Sequence, residues 1–479
     1  LALYKYMKNS KNIHIKRQTK IVATIGPATH EVDMLKKLIG AGLSVARLNM
    51  SHGDHREHGE RIKNIRQAST ETQTSLGVLV DLSGPKIRTG ELESATVTLV
   101  PGKEVTLTTL ECTGDACRMS VNYPNLAKEL KVGNVVMLDD GRRKLEVLKI
   151  EGEEVVCKIL IGGEIKPRRG VNLPGAYLSI SAITDKDKED LKFAAKNKAE
   201  YVALSFVRTA EDVKYLKSLL PKNYKPLIIS KIETEEALKE IDGILAESDG
   251  IMIARGDLAI EIPREEVPVV QKTLIRKARA MRKIIITATQ MLETMINNPV
   301  PTRAEVSDIA NAIFDGTDAV MLSEESAMGK YPVEAVEMMA QIARATDPSL
   351  RPRIDEIKFE KQEDAIKKQA VMLASEVGAK VIVSVTETGS TPMKLASFKG
   401  TRSIIGVTKD PQVASKLTLV RGVWPLMHGP VHNFDELRAL IKELVKNEGI
   451  AQKGDTVVVV SGMTFGTPGG ANMLFVEYI

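Results

Sequence analysis

The sequence predicts an α/β protein: a (β/α)8 barrel, interrupted by a small antiparallel β domain and followed by an α/β domain with a mostly parallel sheet. Three observations predict it. Eight short β-branched runs recur between residues 20 and 346, separated by amphipathic, helix-like stretches, the pattern of parallel strands buried on both faces. Between the third and fourth runs, apolar and polar residues alternate around Gly-containing turns instead, as in strands with one wet face. Past residue 350, strand-like and helix-like segments alternate again.

Composition fits this reading. The 479 residues exceed the size of one average domain, and 43% apolar with 27% charged residues excludes disordered, collagenous and low-complexity classes. A net charge of +5 on so large a surface makes no demand for nucleic acid, and no apolar run is long enough to span a membrane. The three cysteines, Cys112, Cys117 and Cys157, match no zinc or disulfide framework. They point to a reducing, cytoplasmic setting with buried or half-buried thiols, a Cys112–Cys117 bond remaining open.

Residues 1–19 read as an N-terminal tail. The first 30 residues hold six Lys or Arg and no acid, but no secretory core; a transit peptide is the second reading. The barrel occupies 20–90 and 168–346. Its strands begin near Lys20, Ser44, Gly77, Tyr201, Pro226, Gly250, Lys283 and Asp318, mostly 24 to 35 residues apart, with one gap of 124. Residues 91–167 fill that gap as the inserted β domain. Without those 77 residues the span 20–346 leaves 250, about the usual barrel length. Residues 347–479 form the last domain, entered through the linker DPSLRPR.

Active sites of such barrels lie at the carboxyl ends of the strands. There the sequence sets Arg47, Asn49, Asp81, Ser205, Lys231, Glu233, Arg255, Asp257, Thr289 and Ser323. Lys231 and Glu233, two apart on a strand, point to the same face. Glu233 and Asp257 come from adjacent strands and suit one divalent ion; oxygen-only ligation favours Mg or Mn over zinc. An ion-pair ring capping the barrel is the purely structural alternative, but so many buried charges are costly without a ligand. A cation with basic and acidic neighbours suits phosphoryl transfer.

PLIISKIETEEAL, with its Ser-Lys-Ile-Glu core, resembles the active-site signature of pyruvate kinase. So do TIGPA, ARLNMSHG, IRTG, GVNLPG, ARGDL, ATQMLETM, PTRAEVSDIANA and DGTDAVMLSEESAMGKYPVEA, in family order from residue 20 to about 340. The resemblance covers essentially the whole chain. It implies a cytoplasmic homotetramer that makes pyruvate and ATP from phosphoenolpyruvate and ADP: ADP's terminal oxygen attacks phosphorus, and the enolpyruvate left behind is protonated. It implies that Lys231 stabilises the transferring phosphoryl group, Arg47 grips the phosphate, and Glu233 and Asp257 hold Mg. Gly256 and Thr289 would orient the substrate carboxylate, with Asn49, His52, Arg88 and Arg169 receiving ADP. Ser323 and Thr289 would relay the proton. The insert would close on two hinges, Arg88–Gly90 and Arg168–Gly170, to exclude competing water.

One departure bears on a cofactor. The family's Asp-Thr-Lys-Gly-Pro-Glu-Ile-Arg reads here Asp81-Leu82-Ser83-Gly84-Pro85-Lys86-Ile87-Arg88. In potassium-dependent relatives the ion sits near the counterparts of Asn49, Ser51, Asp81 and Leu82. Leu82 offers no side-chain oxygen, and Lys86 brings its own positive charge. Potassium is therefore expected to be dispensable. Ala259 and Glu324 are smaller departures, bearing on nucleotide preference.

In the last domain, Thr386, Thr388, Gly389, Ser390 and Thr391 form a hydroxyl-rich loop opening a helix, a phosphate cradle by composition. A second Gly-rich loop, with Gly466 and Gly469, is expected at the same sheet edge. The family's effector site matches these loops and implies a phosphorylated allosteric effector. Two other classes are open to such a chain: a Mg-dependent barrel lyase or decarboxylase, and a catalytically dead effector-binding protein. A lyase needs no ADP contacts, and a dead protein would have lost Lys231, Glu233 or Asp257.

Overall fold

The computed structural model describes residues 17–350, 362–463 and 471–479. The barrel strands come first: β1 Lys20–Thr24, β2 Val45–Asn49 and β3 Gly77–Asp81. The insert supplies β4 Val97–Leu99, β5 Glu104–Thr108, β6 Arg118–Ser120, β7 Val135–Leu138, β8 Arg143–Glu151, β9 Glu154–Ile161, β10 Gly163–Ile165 and β11 Val171–Asn172. The barrel resumes with β12 Tyr201–Leu204, β13 Leu227–Ile232, β14 Gly250–Ala254, β15 Ile284–Ala288 and β16 Ala319–Leu322. The last domain holds β17 Val381–Val385, β18 Ser403–Thr408, β19 Val423–Met427, β20 Thr456–Ser461 and β21 Met473–Tyr478.

The eight barrel strands close in the order β1-β16-β15-β14-β13-β12-β3-β2, every pair parallel. Both strand faces are buried, which is why the runs read as nearly continuous apolar sequence. Outward residues such as Ile21, Val78, Val202 and Ile251 pack beneath the helices. Inward ones such as Val22, Val45, Leu79, Ala203 and Ile229 fill the barrel. Each large aliphatic side chain so buried contributes roughly 1.5–3 kcal/mol.

The strand period of two then decides what stands at either mouth. Lys20, Val22 and Thr24 share one inward face, as do Tyr201, Ala203 and Ser205 on the fourth barrel strand. Apolar residues occupy the middle, while polar groups emerge at the floor and at the carboxyl-end mouth.

The insert has its own core around Leu99, Leu107, Val136, Leu145 and Cys157. Its six-stranded sheet runs β11-β7-β8-β9-β5-β6, and a two-stranded sheet pairs β10 with β4. One pairing in the large sheet, β5 with β6, is parallel. The sheet extends past residue 167 to Asn172, and Ile87 and Val171 join its core. The two expected hinges lie side by side as a ribbon: Thr89 N–H donates to Arg169 C=O at 2.9 Å, and Arg168 N–H to Gly90 C=O at 3.1 Å. All three cysteines are free thiols, with Cys157 buried.

The last domain stacks its sheet in the order β19-β18-β17-β20-β21, parallel except for the antiparallel edge strand β21. It docks on the barrel floor. Arg17, Gln18 and Thr19, which read as tail, are buried in that seam, where Arg17 donates to Ser44 Oγ at 3.2 Å and Asp347 binds the other two. Its carboxylate accepts from Gln18 N at 2.7 Å, from Thr19 N at 2.9 Å and from the Thr19 hydroxyl at 2.7 Å. Among the described residues no helix is long and apolar enough to cross a membrane.

Candidate active site

The inward residues at the carboxyl ends of five consecutive barrel strands form a chain of alternating charge. Thr24 on β1 accepts a hydrogen bond from Arg47 Nη1 on β2 at 2.7 Å. Arg47 in turn holds Asp81 on β3 through Nε at 2.7 Å and Nη2 at 2.6 Å. On the far side, Lys231 Nζ on β13 lies 3.5 Å from Asp81, 2.9 Å from Glu233 Oε1, and donates to Ser205 Oγ at 2.7 Å. Arg47, Asp81 and Glu233 are all nearly inaccessible to solvent.

Electrostatics follow from that order. Burial opposes the charge on Asp81, but Lys231 and Arg47 outweigh it and hold the carboxyl below its usual range. Burial likewise opposes the charge of Lys231, yet Asp81 and Glu233 raise its ammonium above the ordinary lysine value. Both groups therefore stay ionised around neutral pH. A buried ion pair persists only when each charge keeps its partners, and this chain supplies them in sequence.

The fifth charge has no such partner. Asp257 opens the helix Arg255–Glu261 that follows β14. Burial first, then the facing Glu233, push its carboxyl up to about 7. Glu233 Oε2 accepts from Phe206 N–H at 2.7 Å, while Oε1, beside Lys231, completes no hydrogen bond. Two buried carboxylates, one with an orphaned oxygen and one forced toward neutrality, fit a hard oxygen-ligated cation between them. Lys231 alone does not discharge both.

Thr289 follows β15 with φ +69°, and Gln290 with φ +54°. The left-handed region is unfavourable for a β-branched residue and costs about 1–3 kcal/mol. Arg255 holds it there: Nη2 donates to Thr289 C=O at 2.9 Å, and the guanidinium is anchored on Asp308 at 2.7 and 2.8 Å. The same bend lets Thr289 Oγ1 accept from Gly256 N–H at 2.8 Å. Ser323 closes the ring after β16, its N–H donating to buried Glu325 at 2.7 Å.

A basic flank adjoins this mouth. His52 is lowered by burial and then by Lys86, Arg88 and Arg47 together, so all three cations act on one imidazole. Lys86 reaches solvent in the open cleft, yet partial dehydration, Arg88 and Lys231 depress its ammonium, against the pull of Asp257 and Asp81. Asn49 Oδ1 accepts from Ser51 N–H at 3.2 Å. Leu82 is buried, and its carbonyl accepts the Ser205 hydroxyl at 2.7 Å.

Thus Arg47, Asp81, Lys231, Glu233, Asp257, Gly256 and Thr289 come together, with His52, Lys86 and Arg88 beside them. Arg169 is directed elsewhere: it sits 3.6 Å from Asp139 of the insert. Arg255, Asp308 and Ser205 had no role assigned from sequence. Arg255 and Ser205 were legible as strand-end residues, but Asp308 lies mid-helix in Arg303–Asp315 and gave no signal.

The loop after β17 stands apart, in the last domain. Gly389 has φ +83° and opens the helix Ser390–Ser397. Its N–H donates to Thr386 Oγ1 at 2.9 Å, and Ser390 N–H points to Thr388 Oγ1 at 3.4 Å. These two N–H groups are therefore engaged within the loop, leaving the hydroxyls of exposed Ser390 and half-buried Thr391 at its rim. Gly466 and Gly469 lie outside the described residues.

Two family models match the chain: "Pyruvate kinase, barrel domain" over residues 16–336, and "Pyruvate kinase, alpha/beta domain" over residues 364–477. The pyruvate kinase of Geobacillus stearothermophilus is 44% identical over 474 residues, covering 97% of this chain and 81% of the relative. That of Thermotoga maritima is 43% identical over 451 residues, covering 93% and 96%. Among solved structures, a pyruvate kinase from Cryptosporidium parvum superposes with a TM-score of 0.92 at 36% identity, covering 98% of this chain and 97% of that one.

Proposed function

Since the chain belongs to the pyruvate kinase family and is a phosphotransferase, we propose that it moves the phosphoryl group of phosphoenolpyruvate to ADP with Mg, without potassium, under a phosphorylated effector. The observation that carries the chemistry is the buried succession Arg47–Asp81–Lys231–Glu233 with Asp257 facing its end. A loosely bound phosphoryl group spreads negative charge over its outer oxygens as it transfers. Two fixed cations, each braced by Asp81, meet that charge without reorganising.

Family membership implies a divalent cation, and Glu233 and Asp257 are the residues that would hold it. When bound, it neutralises phosphoryl and carboxylate oxygens. Gly256 N–H and Thr289 orient the substrate carboxylate, Thr289 being held in place through Arg255. Ser323 and Thr289 stand at the mouth from which a proton reaches the enolate carbon. Asn49, His52 and Arg88 receive the diphosphate in their positive field, and Arg169 leaves Asp139 to join them as the insert swings on its ribbon. Closure excludes water, which would otherwise take the phosphoryl group.

Potassium independence is supported by what already occupies its expected place. Both Asp81 oxygens face cations, Leu82 presents only a carbonyl that Ser205 engages, and Lys86 adds an ammonium. The effector, a sugar phosphate or nucleoside monophosphate, is assigned to the loop Thr386–Thr391. We further assign a homotetramer. The experiment is pyruvate production from phosphoenolpyruvate, ADP and Mg, with potassium omitted and then added. Equal turnover supports both readings; turnover only with potassium overturns the Lys86 reading; no pyruvate in either, with sugar phosphates or AMP also added, overturns the kinase reading.

A further inference from the structure

On the floor side, opposite the catalytic mouth, a cleft of about 590 Å³ opens between the barrel and the last domain. Its barrel walls are the end of the helix Asp185–Lys196, the turn after it, and the segment leading into β13. The last domain closes it with the helix Pro411–Leu417. Lys192, Lys196, Lys198, Lys225 and Lys416 line it, against a single carboxylate, Glu200.

The local negative charge is already committed. Glu200 takes Arg66 on both oxygens, at 2.8 and 3.0 Å, and the N–H of Val78 at 2.7 Å. Asp249 accepts from Ile228 N–H at 2.8 Å, and Asp410 caps its helix through Gln412 N–H at 2.8 Å. Of the lysines, Lys192 pairs with Glu189 at 2.7 Å. Lys196, Lys198 and Lys225 make no ion pair with any described residue, and all three are exposed to the cleft. Lys416 turns its ammonium to the carbonyl of Lys225 at 2.5 Å. Burial lowers that ammonium, and Lys225 lowers it further against Glu200, Asp249 and Asp410.

We propose that this cleft is a second anion site, distinct from the catalytic mouth and the loop after β17, and that it takes a chain of linked phosphates. Several uncompensated positive charges converging in one concavity focus the field on a polyanion. Lysines are point charges on flexible stems, which suits successive phosphates better than one planar carboxylate. An inorganic oligophosphate and the triphosphate of a nucleotide share this chemistry.

The cleft's position gives occupancy a consequence. The helix bearing Lys416 is keyed to the barrel floor by Tyr201, whose hydroxyl donates to Lys416 C=O at 2.9 Å and accepts from Leu419 N–H at 3.1 Å. The same helix backs the loop after β17, since a side chain at Gly389 would touch its Val413 and Leu417 at 3.4 Å. A polyanion spanning both walls fastens that helix to the barrel.

The test is lysine acylation footprinting of the intact protein, read by mass spectrometry, with tripolyphosphate or ATP at matched ionic strength. Tripolyphosphate, ATP or both should lower labelling of Lys196, Lys198 and Lys225 several-fold while leaving exposed Lys103 and Lys453 unchanged. Protection by tripolyphosphate alone assigns an inorganic chain; protection by ATP alone assigns a nucleotide. In Lys196→Ala/Lys225→Ala, whose exposed side chains make no ion pair with any described residue, protection of Lys198 should disappear. Equal protection of Lys103 and Lys453, no protection by either compound, or undiminished protection of Lys198 in the double variant overturns the proposal.

Discussion

The ammonium of Lys20 lies 3.7 Å from the centre of the Trp424 ring and donates to the Val423 carbonyl at 2.6 Å. One residue of the first barrel strand is thereby fixed to a residue some 400 positions later. Around this contact, Asp347 gathers Arg421, Thr19 and the backbone of Gln18, so that a polar seam joins barrel and last domain.

The seam should depend on pH. Burial, with Arg17 and Arg421, holds the Lys20 pKa well below the ordinary lysine value despite Asp347. Between that depressed pKa and the unfolded value of about 10.4, the folded protein binds fewer protons than the unfolded chain. Stability from this group therefore rises with pH across that window. Trp424 is the single tryptophan, so its fluorescence follows the seam directly. The thermal midpoint by fluorescence should climb as the pH rises toward that unfolded value of about 10.4, and Lys20→Met should flatten the climb. An equal slope in the variant would contradict the assignment.

Removing Lys231 should silence turnover. Lys231→Met leaves Asp81 and Glu233 without the charge between them, and loss of one such stabilising group costs on the order of 10²–10³ in kcat. A buried carboxylate deprived of its partner also destabilises, by about 3–5 kcal/mol at most. Initial rates beside a thermal melt separate the two effects; a folded variant with near-normal kcat would refute the role.

Asp308 should matter without touching substrate. Asp308→Ala releases Arg255, and Thr289 is then free to leave its left-handed conformation. Small displacements of positioning groups cost up to about 10²-fold. We expect kcat for pyruvate formation to fall by about tenfold or more, while ADP KM stays unchanged because Thr289 lies on the phosphoenolpyruvate side. Asp308→Glu should restore part of the rate. A purely structural role would lower stability and leave kcat alone.

Lys86→Glu should create a need for potassium. The substitution removes an ammonium acting on Asp81 and Asp257 and adds a negative charge. Turnover without potassium should drop at least about tenfold, equivalent to 1.4 kcal/mol, and recover as potassium is added. Low activity that potassium does not raise would count against the substitution reading.

Replacing Ser390 and Thr391 by Asp places negative charge at the rim of the loop after β17. Activation by phosphorylated metabolites should be lost, with basal turnover retained, in rate measurements with and without sugar phosphate or AMP. Persistent activation would move the effector elsewhere.

Much of this molecule was legible because strands buried on both faces leave near-continuous apolar runs. All eight barrel strands are legible that way, and five of the insert's eight by their alternation of apolar and polar residues. The two-residue β11, the three-residue β6 and β10, and the edge strand β21 are not, being too short or too irregular for a period to register. Period two also placed Arg47, Asp81, Lys231 and Glu233 inward at one mouth, since the first three each sit two residues beyond an apolar inward neighbour and Glu233 sits two beyond Lys231.

What the sequence alone determined was therefore local: which residues form strands, which faces point inward, and which polar groups end at the mouth. Only the tertiary structure decided who meets whom. Lys20 finds Trp424, Asp308 finds Arg255, and Lys196 shares a cleft with Lys416 because chain closure brings distant segments into contact. Side-chain periodicity along one strand carries no information about such partners. The charge on Asp257 was settled there as well, since its pKa depends on burial and on Glu233 across the neighbouring strand rather than on its own type.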